Sequence, residues 1–218
     1  QRRIIKTLKK KVSNLNNFID VGAYKGTYTD LILNNYTPKK ILMFEPQEEI
    51  FNYLKKKYNE NKSIFLFNIA LSNESKSAKF NFNKHNLTSS LSSLDPDNSY
   101  LKLKAKLFGT TSKGMIIDTK TIQTKTLFSI LERENIADID FLKIDTEGHE
   151  LEVLQGMKEK INRVKHMLVE FHIDEIYISY NPEFLHQFLI SNNFELVKKF
   201  KFPFTTWEDR LYVNKSFN

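Results

Sequence analysis

The stretch Phe141-Leu142-Lys143-Ile144-Asp145-Thr146-Glu147-Gly148-His149-Glu150 carries an apolar run straight into a cluster of ionisable side chains. A second run, Met167-Leu168-Val169-Glu170-Phe171-His172, ends in the same manner. Carboxyl and imidazole groups gathered at strand ends are where burial and mutual charge shift pKa values toward those useful in proton transfer. Asp145, directly at its strand end, is assigned to a site. Glu170 and His172 either neighbour it there or anchor a loop. Glu150 and Glu152 complement the dipole of the helix that follows, with His149 beside them at the solvent edge.

A different chemistry is written into Phe18-Ile19-Asp20-Val21-Gly22-Ala23-Tyr24-Lys25-Gly26, a buried strand that breaks into a glycine turn and runs into an amphipathic helix. Gly22 lets the backbone turn sharply and approach a ligand where a Cβ would collide, and Gly26 lets the helix sit close. The spacing D-x-G-x-x-x-G departs from the G-x-G-x-x-G that seats a pyrophosphate on a helix N-terminus, so the expected ligand is a nucleoside without phosphates. Glu45 follows 23 residues after Gly22, at the end of Ile41-Leu42-Met43-Phe44 and before Pro46. A carboxylate at the tip of the second strand of a βαβ unit lies beside the first turn and can accept both hydroxyl hydrogens of a ribose. It can also cap the helix that starts near Gln47, and the two roles are compatible.

Positioning these groups requires strands alternating with helices, hence a parallel sheet covered on both faces. Helical spacing through Ile4, Ile5, Leu8 and Val12 predicts a leading helix within residues 1–16. Strands are expected at 18–21, 41–45 and 64–68, with helices at 27–35 and 48–58 between them. Residues 78–83 read as a short strand added after the third, and 115–123 as another. Then come helix 126–133, strand 141–145, helix 150–160, strand 166–171, helix 182–191, and closing strands at 194–200 and 210–213. Regular patterning stops between 84 and 114, a length that marks a lid or substrate loop, with a helix available at 100–107. In an open parallel sheet, ligands bind outside the carboxyl ends of the strands, so Asp145 should face the pocket made by Asp20, Gly22 and Glu45.

With 218 residues and 40% hydrophobic side chains, the chain can bury one substantial core, and a single domain over 1–218 is expected. The absence of cysteine excludes a disulfide framework and thiolate metal sites and fits a reducing compartment, so the expected location is cytoplasmic. No apolar run approaches a membrane span, and no signal peptide is visible. The net charge of +7 invites a nucleic-acid partner. However, Lys9-Lys10-Lys11, Lys39-Lys40 and Lys55-Lys56-Lys57 fall on separate elements without interleaved aromatics, which is the pattern of a solvated lysine surface.

The chain resembles the FkbM family of S-adenosylmethionine-dependent methyltransferases. The resemblance rests on residues 18–26, Phe44-Glu45-Pro46, Asn68-Ile69-Ala70-Leu71-Ser72 and, most specifically, the block from Leu142 to Glu150 that continues through Leu154-Gln155-Gly156. It spans about residues 17–172. It implies an α/β Rossmann-like class I methyltransferase fold with a mostly parallel seven-stranded sheet and helices on both faces. It also implies cofactor contacts at Asp20, Gly22, Ala23, Gly26, Glu45 and Pro46, with Asn68, Ala70, Ser90 and Asp145 near them. Phe128 departs from the family pattern, which usually has an aspartate after Thr126-Leu127, and this affects a local helix cap.

An S-adenosylmethionine methyl group is already activated, so a protein need only align an acceptor and exclude water. A hydroxyl acceptor must also lose a proton, to a base or to a cation that lowers its pKa. Asp145, Glu147, His149, Glu170 and His172 are the candidates for the base. Asp145 with Glu170 are the candidates to hold Mg²⁺. The resemblance points to O-methylation of a carbohydrate, as a sugar or glycan precursor, or of another small-molecule hydroxyl. RNA or protein methylation, or cofactor binding without turnover, are the competing readings.

Overall fold

The computed structural model describes residues 2–83, 89–173, 176–203 and 205–217. Residues 84–88, part of the expected lid or substrate loop, lie outside the described residues.

The main sheet holds β1 (Asn17–Val21), β2 (Lys40–Phe44), β3 (Ile64–Phe67), β7 (Ile139–Ile144), β8 (Val164–His172), β9 (Phe194–Lys201) and β10 (Trp207–Asn214). Their spatial order is β3-β2-β1-β7-β8-β10-β9. The five strands from β3 to β8 in that order run parallel, in four pairings, and β10 is antiparallel to both of its neighbours. The strand order therefore reverses between β1 and β7, which opens a crevice at their carboxyl ends. In register, Asp20 lies beside Lys143 and Val21 beside Ile144, so Gly22 and Asp145 leave the sheet side by side.

Alternate residues of each central strand serve opposite faces. Ile19, Leu42, Phe44, Leu142 and Ile144 pack with α5 (Leu127–Arg133), α6 (Glu150–Gln155) and α7 (Pro182–Ser191). Phe18, Ile41, Met43 and Phe141 pack with α1 (Arg2–Lys11), α2 (Thr27–Leu33) and α3 (Glu48–Lys57). The leading helix ends at Lys11, short of the expected span, yet Val12 and Leu15 continue into the same buried cluster. No helix among the described residues is long and apolar enough to cross a membrane.

The expected strands at 78–83 and 115–123 form, but not in the main sheet. β5 (Ser77–Asn83) pairs antiparallel with β6 (Ile116–Lys125), and β6 pairs parallel with β4 (Ala70–Leu71), giving a second sheet ordered β4-β6-β5. The reason is composition: Ile-Ile-Asp-Thr-Lys-Thr-Ile-Gln-Thr-Lys is mostly exposed, whereas strands covered on both faces are near-continuous apolar runs. The segment between these strands contains α4 (Ser99–Leu107), close to the helix anticipated at 100–107, with Asn98 accepting from the Leu101 N–H at 3.0 Å as its N-cap.

Candidate active site

A cavity of about 460 Å³ opens at the carboxyl ends of β1, β2 and β7. That size falls within the range of small-molecule sites. Its floor is the glycine turn. Gly22 and Ala23 donate their N–H groups to the Phe44 carbonyl at 3.1 and 3.0 Å, which ties the turn to the tip of β2. Gly22 has φ +74°, and a Cβ there would collide with the Asp145 carbonyl. Both its conformation and the closeness of β7 therefore require glycine. Gly26, at φ +77°, serves packing instead: its missing side chain is replaced by the Tyr58 ring, whose hydroxyl donates to the Gly26 carbonyl at 3.0 Å.

Glu45 forms one wall and is 3% exposed. Its two carboxylate oxygens accept from the Tyr24 N–H at 3.0 Å and the Gln47 N–H at 2.8 Å. Those bonds fix the carboxylate's orientation and leave further acceptor capacity on each oxygen for a diol. Burial pushes its pKa up to about 7, against the lowering effect of those two N–H bonds. Ala23, Pro46 and Ala70 line the same cavity. Asn68 stands behind the wall, its amide donating to the carbonyls of Glu45 at 2.9 Å and Pro46 at 3.0 Å.

Asp20 is placed under the turn and not among the lining residues. It is fully buried, accepts from the Thr29 hydroxyl at 2.8 Å, and has one oxygen 3.4 Å from the Lys143 ammonium. Lys143 joins the parts of the site. Its Nζ donates to the Gly22 carbonyl at 2.8 Å and lies 3.2 Å from the Asp145 carboxylate. Burial alone would depress its pKa, but the Asp145 and Asp20 charges reverse this and hold it above the ordinary lysine value. The sequence reading passed over Lys143. Its signal was a lone cation inside a run buried on both faces, which can persist there only if paired.

The acids converge on the other wall. Asp145, Glu147, His149 and Glu170 line the cavity. Burial pushes Glu170 well above the carboxylate range, with the Asp145, Glu150 and Asp209 charges adding to the effect. Glu147 is raised by burial and then by Glu170, and Tyr177 donates a short hydrogen bond to it. His172 lies behind them in a smaller recess, its Nε2 3.1 Å from Glu170 and 3.8 Å from Glu147. Asp145 sits against Lys143, whereas among the described residues the side chains whose donor atoms gather closely enough to share an ion are Glu147, Glu170 and His172.

His149 touches the cavity, but its ring nitrogens are engaged away from the acids, Nε2 3.0 Å from the Ser72 hydroxyl and Nδ1 3.6 Å from Glu152, and burial lowers its pKa. Ser90 is buried and donates to the carbonyls of Thr146 at 2.9 Å and Glu147 at 2.8 Å, bracing the acidic loop from outside the cavity. Glu150, read above as a dipole partner, is fully buried and does more: it accepts from the N–H groups of Thr146 at 2.8 Å and Gly148 at 3.2 Å. Phe128 needs no acidic cap, because the Thr126 hydroxyl accepts from the Ser129 N–H at 3.2 Å.

Residues 20–196 match the methyltransferase FkbM domain. The chain belongs to this family. Among solved structures, methyltransferase FkbM from Methylobacillus flagellatus KT superposes with a TM-score of 0.56 at 15% identity, covering 92% of this chain and 43% of that one. TrmK of M. capricolum, in complex with S-adenosyl-homocysteine, gives 0.55 at 11% identity, covering 96% and 66%. Ribosomal protein L11 methylase from Lactobacillus delbrueckii subsp. bulgaricus gives 0.54 at 10% identity, covering 97% and 76%. These likenesses concern the fold, which is that of Rossmann-like methyltransferases. This chain spans less than half of the first neighbour's length and just under two thirds of the second's. No curated protein matched the sequence.

Proposed function

We propose that this chain transfers a methyl group from S-adenosylmethionine to a hydroxyl of a sugar, glycan precursor or other small molecule. The observation that carries this reading is the pairing, across one cavity, of a glycine-floored nucleoside cradle with a wall of buried carboxyl groups.

The cradle fits the cofactor. Gly22 and Ala23 form the turn at the cavity floor, Glu45 presents acceptor oxygens of the kind a ribose needs, and Phe44, Pro46, Ala70 and Leu71 supply apolar surface beside them. When bound, S-adenosylmethionine supplies an activated methyl group. The residues of the chain hold the reactants and manage the proton. Lys143 braces the Gly22 turn and sets its ammonium 3.2 Å from the Asp145 carboxylate at the cavity wall. The Asp145 carboxyl group accepts a hydrogen bond from an incoming hydroxyl and orients its oxygen. Glu170, with its raised proton affinity, is placed to receive or relay the released proton. Ser89, Leu91 and Lys104, from the segment anticipated as a lid, line the same cavity and narrow its access to water.

Asp145, Glu147 and Glu170 line this wall as carboxyl groups suited to hydrogen-bonding the hydroxyls of a sugar, which is the reason for placing a small hydroxyl acceptor ahead of RNA. The test is methyl transfer from labelled cofactor to a panel of nucleotide sugars and simple glycosides, run beside total tRNA. Labelled sugar with background counts in tRNA supports the proposal. Labelled tRNA, with binding that weakens steeply as salt rises, would move the assignment to nucleic acid.

A further inference from the structure

We propose that Glu147, Glu170 and His172 form a binding site for one divalent first-row transition-metal ion, at the rim between the large cavity and the recess behind it. Each offers one donor atom, and these atoms all lie within 4.8 Å of one another. Donor atoms bound at about 2.1 Å around one ion lie roughly 3.0 to 3.4 Å apart, by tetrahedral or octahedral geometry. The Glu170 and His172 donors already stand at 3.1 Å, and Glu147 at 3.8 Å from His172 need close by only a fraction of an ångström.

A second observation separates this cluster from an ordinary group of acids. Glu170 Oε2 and His172 Nε2 are buried, in residues 7% and 5% exposed, and neither makes a hydrogen bond. Each is directed at the other and at Glu147. The two atoms stand 3.1 Å from each other, a contact that a shared proton or a cation can satisfy, and a cation also takes in the Glu147 carboxylate at 3.8 Å from His172. The surroundings hold the ligands for it. Tyr177 donates to Glu147, its ring stands edge-on to His172 at a centroid distance of 4.8 Å, and the Tyr180 hydroxyl accepts from the His172 backbone N–H at 3.1 Å. Outer contacts of this kind fix the orientation of metal ligands.

The donor set identifies the class of ion. Two carboxylates with one imidazole suit Mn²⁺, Fe²⁺ or Zn²⁺, while Mg²⁺ and Ca²⁺ prefer all-oxygen shells. The site shares Glu170 with the Asp145–Glu170 magnesium pair expected from sequence but takes Glu147 and His172 in place of Asp145, whose carboxylate lies 3.2 Å from the Lys143 ammonium.

The experiment uses the full chain freed of metal with EDTA, with neither cofactor nor acceptor, so its outcome is independent of the methyl-transfer reading. Mn²⁺ alone is titrated and followed by loss of the free-ion electron paramagnetic resonance signal, with Zn²⁺ then added as competitor. We expect one equivalent of Mn²⁺ to bind, Zn²⁺ to displace it, and affinity to fall at least tenfold in Glu147→Gln, Glu170→Gln and His172→Ala. Glu147→Gln lies on the more open side of the cluster, so it serves if the two buried variants fail to fold. Absence of saturable binding by the unsubstituted chain, or unchanged affinity in folded Glu147→Gln, would overturn the site.

Discussion

Glu45 and Asp20, read from sequence as two contacts to one ligand, are separated by the structure into two kinds of work. Glu45 is at the cavity wall, so Glu45→Ala should weaken S-adenosylhomocysteine binding by about 1–3 kcal/mol in calorimetry, the loss expected for hydrogen bonds to a charged group. Asp20 is beneath the turn and paired with Lys143. Asp20→Ala should therefore act chiefly on folding, lowering stability in urea by about 3–5 kcal/mol, since it breaks a buried ion pair from one side. A loss of affinity without loss of stability would instead put Asp20 in contact with ligand. The carboxyl groups also set a pH dependence. Burial raises both Glu45 and Asp209 to about 7. A carboxyl whose folded-state pKa exceeds its unfolded value binds its proton more tightly when folded. Its stabilising contribution is therefore full below the unfolded pKa and lost as pH rises through the folded one. His149, His166 and His186, with lowered pKa values, act in the opposite sense below their ordinary value of 6.5. Between pH 6.5 and 8 the carboxyl effect dominates, so the ligand-free chain should lose stability as pH rises, by at most about 1.4 kcal/mol per pH unit for each group. Urea midpoints across that window should fall less steeply for Glu45→Gln, and identical slopes would contradict the assignment.

At the scale of elements, the decisive feature is how closely the ends of β1 and β7 approach. Gly22 was legible in sequence as a turn that needs glycine, but the reason was incomplete. The collision of a Cβ is with the Asp145 carbonyl, and Asp145 N donates to the Val21 carbonyl at 3.1 Å across the same gap. Gly22→Ala should thus cost about 2 kcal/mol or more in stability, from the positive φ and the displaced strand tip, and should weaken cofactor binding as well. Chemical denaturation read beside a binding titration would check both, and a variant as stable as the parent would refute the packing argument. Element types were largely readable because apolar runs of four to six residues and amphipathic stretches differ in period. The membership of β5 and β6 in a separate sheet was not, although their exposed Thr, Lys and Gln residues carried the hint.

For the whole molecule, a ligand that binds only the folded state raises the unfolding free energy by about 2.7 kcal/mol at one hundred times its dissociation constant. S-adenosylhomocysteine should produce that shift in thermal melts, and the Glu45→Ala variant should need proportionally more ligand to reach it. An unshifted melting point at saturating ligand would remove the cofactor from the cavity. By themselves the residues determined that strands alternate with helices, that a glycine turn and an acidic residue 23 positions later end neighbouring strands and face one cavity, and that Asp145 ends a buried strand. These follow from periodicity and local conformational preference, which are short-range properties. Only the tertiary structure decided that β7 lies against β1, that Lys143 meets Asp20 and Asp145, and that Glu147, Glu170 and His172 converge. Such contacts depend on which strands become neighbours, a choice made by the burial of the entire sheet between its two helical layers and not encoded in any one segment.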